Sequence, residues 1–319
     1  MQQLKAFLQL VRWRNLLIVM LTQWFIWWCV LRPMNSWSNY PVFLNTFHFL
    51  LLSLSTLFIA AAGYIINDYF DVKIDLINRP QKVIIERSIS SRAGILWHSG
   101  LNIAGIAIAV LLAFRLNNYW VPVIQISCSV LLWFYSTTYK RRFVSGNLIV
   151  ALLTALTILI IPVYEPALQA YIDLRYFLEE GGKVLVNPFG VIAVYAYFAF
   201  MLTWMREVVK DMEDFKGDAE DGCITMPIKI GLHRSTRFVQ LLGMLAVFPL
   251  LVASIRLFRG SWAILGVYLL ITVIVPLLLW MWQLPRKATS EHYGTSSRQL
   301  KLIMLSGIIS LLLYYILQY

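Results

Sequence analysis

Long apolar stretches alternate with short polar segments along the whole chain, and their length decides the fold class. Nine of them reach or approach the roughly 20 residues that an α-helix needs to cross the hydrocarbon core of a bilayer: residues 15–32, 45–66, 95–114, 119–137, 148–164, 188–205, 237–255, 261–282 and 301–318. The pattern predicts an all-α, polytopic membrane bundle of nine transmembrane helices.

Composition removes the competing classes. Of 319 residues, 60% are hydrophobic and 13% charged, and the mean hydropathy is +0.70. A soluble domain carries about twice that charged fraction, so a water-soluble enzyme, a disordered chain and a disulfide scaffold do not fit. Cys29, Cys128 and Cys223 are scattered and form no CxxC pair, which indicates neither a zinc site nor a disulfide framework. Arg12 and Arg14 precede an apolar run without a short h-region or a small-residue cleavage site. That reads as a first membrane helix rather than a removable signal.

The net charge of +11 would suggest nucleic acid in a soluble protein, but topology accounts for it here. Lys and Arg accumulate on the cytoplasmic side of membrane proteins. Of the 27 in this chain, 21 fall in the N-terminal segment and in the loops after the second, fourth, sixth and eighth stretches. The expectation is a cell-membrane protein with its N-terminus and those loops cytoplasmic and its C-terminus outside. Neither a nucleic-acid partner nor an obligate protein partner is indicated. The polar loop 164–187, on the other side, reads as surface decoration.

Eleven of the 16 carboxylates sit in two of the cytoplasmic loops. After the second stretch the chain reads Asn67-Asp68-Tyr69-Phe70-Asp71, then Asp75 and Asn78-Arg79-Pro80; after the sixth it reads Arg206-Glu207, then Lys210-Asp211, Asp214 and Asp218. In both, aspartates recur at i, i+3, i+7, a spacing that places three carboxylates on one helical face. Like charges so placed repel and are costly near a membrane, unless a divalent cation sits among them. Oxygen-only ligands point to Mg²⁺, which commonly shares its shell with substrate phosphate. Two such faces across one cavity would hold a magnesium-bound diphosphate. The motifs lie four stretches apart, so the chain reads as one membrane-embedded domain in two halves, about 10–142 and 143–285, plus a ninth helix at about 300–319. Glu213, Glu220 and Asp221 fall off the aspartate face and read as solvent-exposed.

Cations on the same side include Arg79, Lys82 and Arg87, the run Tyr139-Lys140-Arg141-Arg142, and Arg206 with Lys210. Each is either a topology residue or a partner for diphosphate, and the loop carrying Lys140 and Arg141 should border the same cavity. Asn147 is either a helix cap or a substrate contact. His98 and His233 have no carboxylate or cysteine companions at ligand spacing and read as packing residues.

These motifs resemble the UbiA superfamily of intramembrane prenyltransferases. The likeness rests on NDYFDVKIDLINRP as NDxxDxxxD, KDMEDFKGD as DxxDxxxD, and YSTTYKRR followed by GN between them. It implies a nine-helix bundle open laterally to lipid, two Mg²⁺ ions, and transfer of a polyprenyl chain from its diphosphate to a lipophilic or aromatic acceptor. It further implies that Asn67, Asp68, Asp71 and Asp75 bind the first Mg²⁺ and diphosphate, and Asp211, Asp214 and Asp218 the second. Asp68, Asp71, Asp211 and Asp214 would carry catalysis, while Arg79, Tyr139, Lys140, Arg141, Asn147 and Lys210 would contact substrate. The likeness departs at Gln81–Ser88, where family members often have a PxxSG-like turn. Metal ions and basic groups would stabilise the departing diphosphate, and aromatic walls would shield an allylic cation. The motifs look most similar to the branch that prenylates geranylgeranylglyceryl phosphate; aromatic acceptors of quinone biosynthesis are the alternative. Membrane alcohol phosphatidyltransferases need a DG-x2-AR lead that is absent. Cation transporters place their sites in broken helices at the midplane.

Overall fold

The computed structural model of the protein describes residues 2–37, 42–165, 168, 188–258, 262–284 and 289–318. In chain order its helices are α1 (Gln2–Leu10), α2 (Trp13–Met34), α3 (Thr46–Asn78), α4 (Ser91–Leu116), α5 (Trp120–Thr137), α6 (Ser145–Tyr164), α7 (Pro188–Glu213), α8 (Phe215–Glu220), α9 (Met226–Ile230), α10 (Leu232–Phe258), α11 (Ala263–Gln283) and α12 (Ser290–Gln318). Among the described residues nine of these, α2–α7 and α10–α12, are long and apolar enough to cross a membrane, and no strand occurs among them. The protein is a multi-pass membrane protein.

Local signals explain the ends. Asn45 caps α3 by accepting from the His48 amide at 2.9 Å, and Ser90 caps α4 through the Ala93 amide at 3.3 Å. Asn117, in the left-handed region at φ 50°, closes α4, a role that Asn fills when Gly is absent. Pro33 and Pro276 each follow a π-helical turn, Trp27–Leu31 and Leu270–Ile274. Widening the helix there accommodates a ring that would otherwise meet the carbonyl four residues back.

Several helices exceed their predicted lengths. α3 continues 12 residues past 66, α7 continues to Glu213, and α12 starts at Ser290 rather than near 301. Hydropathy falls where charged residues begin, but the backbone ladder propagates through them.

Two compact units result, one of residues 1–139 with 156–196, the other of 140–155 with 197–319. Within a membrane, helices associate through close backbone approach and interhelical hydrogen bonds. In the first unit Ser55 Oγ donates to the Gly105 carbonyl at 2.8 Å. A Cβ at Gly105 would lie 2.8 Å from Ile59 Cγ1 and 3.1 Å from the Ser55 carbonyl. Gly105→Leu therefore forces α3 and α4 apart at a cost of about 1–3 kcal/mol. The expected result is a lowered melting temperature in detergent; unchanged melting would contradict this packing.

Gln23 Nε2 donates to the Thr157 carbonyl at 2.8 Å and, with Gln125 Nε2, to Thr56 Oγ1. His98 is buried, its Nδ1 2.9 Å from the Ala62 carbonyl, which ties α4 to α3. Most of the 164–187 loop lies outside the described residues, but its first residues correct the expectation of surface decoration. Tyr164 and Glu165 are fully buried, and Glu165 Oε2 accepts from the Leu44 amide at 2.8 Å.

The second unit packs around Met205, Met212, Met226, Trp280, Met281 and Tyr293. Its polar glue includes Trp280 Nε1 to the Ser296 carbonyl at 2.8 Å and Tyr268 OH to the Ser306 carbonyl at 3.0 Å.

Candidate active site

Asn67, Asp68, Asp71 and Asp75 all lie on α3, so the first i, i+3, i+7 set occupies a single helix. Asn67 and Asp71 are buried, at 7% and 4% exposure. Asn67 Nδ2 donates to Asp71 Oδ2 at 2.6 Å and lies 3.5 Å from Asp68 Oδ1. These contacts fix the amide orientation and leave Asn67 Oδ1 buried without a hydrogen-bond partner. Such an oxygen costs about 1–3 kcal/mol unless something satisfies it.

Arg12, read in the sequence only as a topology charge, reaches Asp68 Oδ1 from Nη2 at 2.6 Å, and its guanidinium stands 5.0 Å from the Tyr64 ring centroid. It joins α1 to α2 in the left-handed conformation, φ 51°. Burial opposes its charge, but Asp68, Tyr64 and Asp71 outweigh that and hold its pKa above the ordinary value. No spacing rule links positions 12 and 68, so the sequence carried no signal for this pair.

The second set differs. Asp211 is on α7, but the helix breaks at Asp214 (φ −92°, ψ 7°), and Asp218 belongs to α8. The expectation of one continuous aspartate face is corrected for this motif. The backbone keeps helical bonds on either side of the break, Asp214 N to the Lys210 carbonyl at 2.9 Å and Asp218 N to the Asp214 carbonyl at 3.1 Å. The carbonyl of Glu213, released at the break, accepts from Ser290 Oγ at 2.8 Å. Asp211 Oδ2 accepts from Asn147 Nδ2 at 2.9 Å and is within electrostatic range of Asp218, Glu207 and Lys210. Asp218 is buried.

Several of the cations have carboxylate partners. Lys210 Nζ lies 2.9 Å from Glu207 Oε2, and Arg206 Nη1 lies 3.1 Å from Glu207 Oε1. The buried Glu207 needs counter-charge, and a lysine at i+3 supplies it. Arg141 Nη2 is 3.2 Å from Asp221 Oδ2; Asp221 is a docking partner rather than a solvent-exposed bystander. Glu213 likewise packs against Gly294 of α12. Tyr139, Lys140 and Arg141 form a 3-10 turn, tied down by the Ile224 amide on the Arg141 carbonyl at 2.8 Å. Arg79 sits at the C-cap of α3, its amide on the Asp75 carbonyl at 2.8 Å. Glu220 is exposed, as expected.

Among the described residues no three His, Cys, Asp or Glu side chains converge as a metal cluster. An all-protein cage is not what Mg²⁺ requires, since it binds through one or two carboxylates with water and phosphate oxygens completing the shell. The orphaned Asn67 Oδ1 beside the buried Asp71 fits a hard cation or its bound water. Cys223, outside the spans, is raised to about 11 by burial, with Asp218 adding to the shift, so it is a thiol rather than a nucleophile at neutral pH. An apolar cavity of about 490 Å³ lined by Trp120, Ile124, Leu159 and Pro162 lies at the start of α5. The first carboxylate set is at the other end, where Trp133 meets Phe70 of α3.

Nine apolar spans among the described residues, with aspartate-asparagine clusters at the ends of two of them, define an intramembrane enzyme of the Asp-rich helical-bundle class. Residues 24–304 match the model of the UbiA prenyltransferase family, and the chain belongs to that family. It is 32% identical over 264 residues to the digeranylgeranylglyceryl phosphate synthase of Saccharolobus solfataricus, covering 83% of each chain. A solved structure of a digeranylgeranylglyceryl phosphate synthase superposes with a TM-score of 0.64 at 23% identity, covering 99% of both chains. A UbiA homologue from Archaeoglobus fulgidus bound to DMAPP and Mg²⁺ gives a TM-score of 0.56 at 14% identity, covering 96% of this chain and 99% of its own. The protein is a membrane prenyltransferase.

Proposed function

We propose that this prenyltransferase transfers a polyprenyl group from a prenyl diphosphate to a geranylgeranylglyceryl phosphate-type lipid, using two Mg²⁺ ions. The observation that carries the reading is the buried Asn67–Asp71 pair with its unsatisfied carbonyl oxygen, placed where an apolar span ends. The lipid acceptor is supported by the Saccharolobus solfataricus relative's name, and Mg²⁺ by the ion bound in the Archaeoglobus fulgidus homologue. The two motifs, of equal spacing and four spans apart, would each hold a metal ion and diphosphate oxygens from the cytoplasmic side.

Asn67, Asp68, Asp71 and Asp75 would hold one ion, and Asp211, Asp214 and Asp218 the other. Bound there, Mg²⁺ supplies Lewis-acid stabilisation of charge on the leaving diphosphate. Arg79, Lys140 and Arg141 neutralise further phosphate oxygens, with Tyr139 beside them. The C1–O bond of the donor breaks with its electron pair on diphosphate. The acceptor hydroxyl then attacks C1, and its proton passes to the departing diphosphate. Tyr64, one turn before Asp68, and Trp204, two turns before Asp211, set aromatic rings on the hydrocarbon side of the carboxylates. Rings so placed would exclude water from each carboxylate set.

Incubating the purified protein with geranylgeranyl diphosphate and a panel of acceptors, then weighing the products, tests this. The expected product is the doubly prenylated glyceryl phosphate. Faster transfer to 4-hydroxybenzoate would replace the lipid acceptor with an aromatic one, and no transfer to any acceptor would overturn the reading.

A further inference from the structure

The two carboxylate sets are not equally self-sufficient. In the first, the amide donor is built into the motif: Asn67 stands one turn before Asp71 on the same helix and donates to it at 2.6 Å. In the second motif the residue at the corresponding position is Lys210, and its ammonium is on Glu207. Asp211, which corresponds to Asp68, receives an amide hydrogen bond from a different helix, from Asn147 of α6 at 2.9 Å.

We propose that Asn147 is a positioning residue for Asp211, supplying from α6 the kind of amide donor that Asn67 supplies to Asp71 within α3. A neutral donor on one carboxylate oxygen fixes the rotamer and leaves the other oxygen for a cation; outer-shell hydrogen bonds of this kind tune metal binding. Asn147 is the third residue of α6 and is 6% exposed, so it is not an N-terminal cap in solvent. The entry into α6 is built around this contact. Val144, immediately before the helix, is held at φ 64°, a strained conformation for a β-branched residue. Neighbouring contacts hold it there: Lys229 lies 4.6 Å from the Phe143 ring centroid, and the Ile224 amide donates to the Arg141 carbonyl. The turn is thus anchored to the loop that follows Asp218, and α6 leaves it in the register that brings residue 147 to Asp211.

The inference rests on the metal reading above, so its test separates the two. Mn²⁺ binding to the full-length protein in nanodiscs is followed by EPR, with and without an unreactive S-thiolo analogue of geranylgeranyl diphosphate, for the wild type, Asn147→Ala, Asn147→Ser and Asn67→Ala. Asn147→Ala is expected to weaken Mn²⁺ binding about 10- to 100-fold, the usual effect of losing a second-shell hydrogen bond. It should raise the KM for Mg²⁺ similarly and leave kcat at saturating Mg²⁺ within a few-fold of wild type. If Asn147→Ala fails to give a cooperative melt, Asn147→Ser carries the comparison. Unchanged Mn²⁺ affinity with a reduced kcat would make Asn147 a substrate contact and overturn the proposal. A wild type that binds no Mn²⁺ in either condition would overturn the metal reading and this inference with it.

Discussion

Asp71→Ala is expected to lower turnover by about 10³-fold, while Glu220→Ala stays within two- to three-fold of wild type. The two residues belong to the same pair of acidic segments but differ in surroundings. Asp71 is 4% exposed and held by Asn67 at 2.6 Å, whereas Glu220 is exposed at the end of α8. Removing Asp71 takes away an anionic ligand and frees the Asn67 amide, so one substitution dismantles the first cluster. A 10³-fold loss corresponds to about 4 kcal/mol of transition-state stabilisation, in the range found when a preorganised electrostatic group is deleted. Diphosphate release from an allylic donor, measured on both variants at equal concentration, decides the matter. Equal losses would show that net acidity, rather than this arrangement, is what the enzyme uses.

Stripping divalent metal should reduce diphosphate release to below about 1% of its initial rate, and restoring Mg²⁺ should recover it. The basic side chains do not substitute for the ion, because several are already engaged. Lys210 and Arg206 are on Glu207, and Arg12 is on Asp68. Linkage adds a second readout: a ligand bound only by the folded state raises the melting temperature, so Mg²⁺ should stabilise the wild type and stabilise Asp71→Ala much less. Full turnover in excess chelator would end the metal reading.

The spans were legible because chain length and hydropathy suffice to specify a membrane helix. Their ends were not, since α3 carries its ladder through Asn67 and Asp71 to Asn78 and α12 begins among the polar residues at Ser290. The first aspartate set was readable as one face for the same reason: its residues share a helix. In the second set, periodicity alone gave no sign of the break at Asp214, where the freed Glu213 carbonyl finds Ser290 from 77 positions away. Contacts between distant elements were the least visible part. Neither Arg12 with Asp68 nor Asn147 with Asp211 leaves a pattern in spacing.

The 33 residues of α3 span about 50 Å, while a bilayer interior is about 30 Å thick. Asn67 is the twenty-second residue of that helix, about 32 Å along it. The bond being exchanged would therefore sit near the depth of phospholipid phosphates. Both isoprenoid tails could stay dissolved in oil while both anionic heads stay wet, and neither reactant nor product would need to change leaflet.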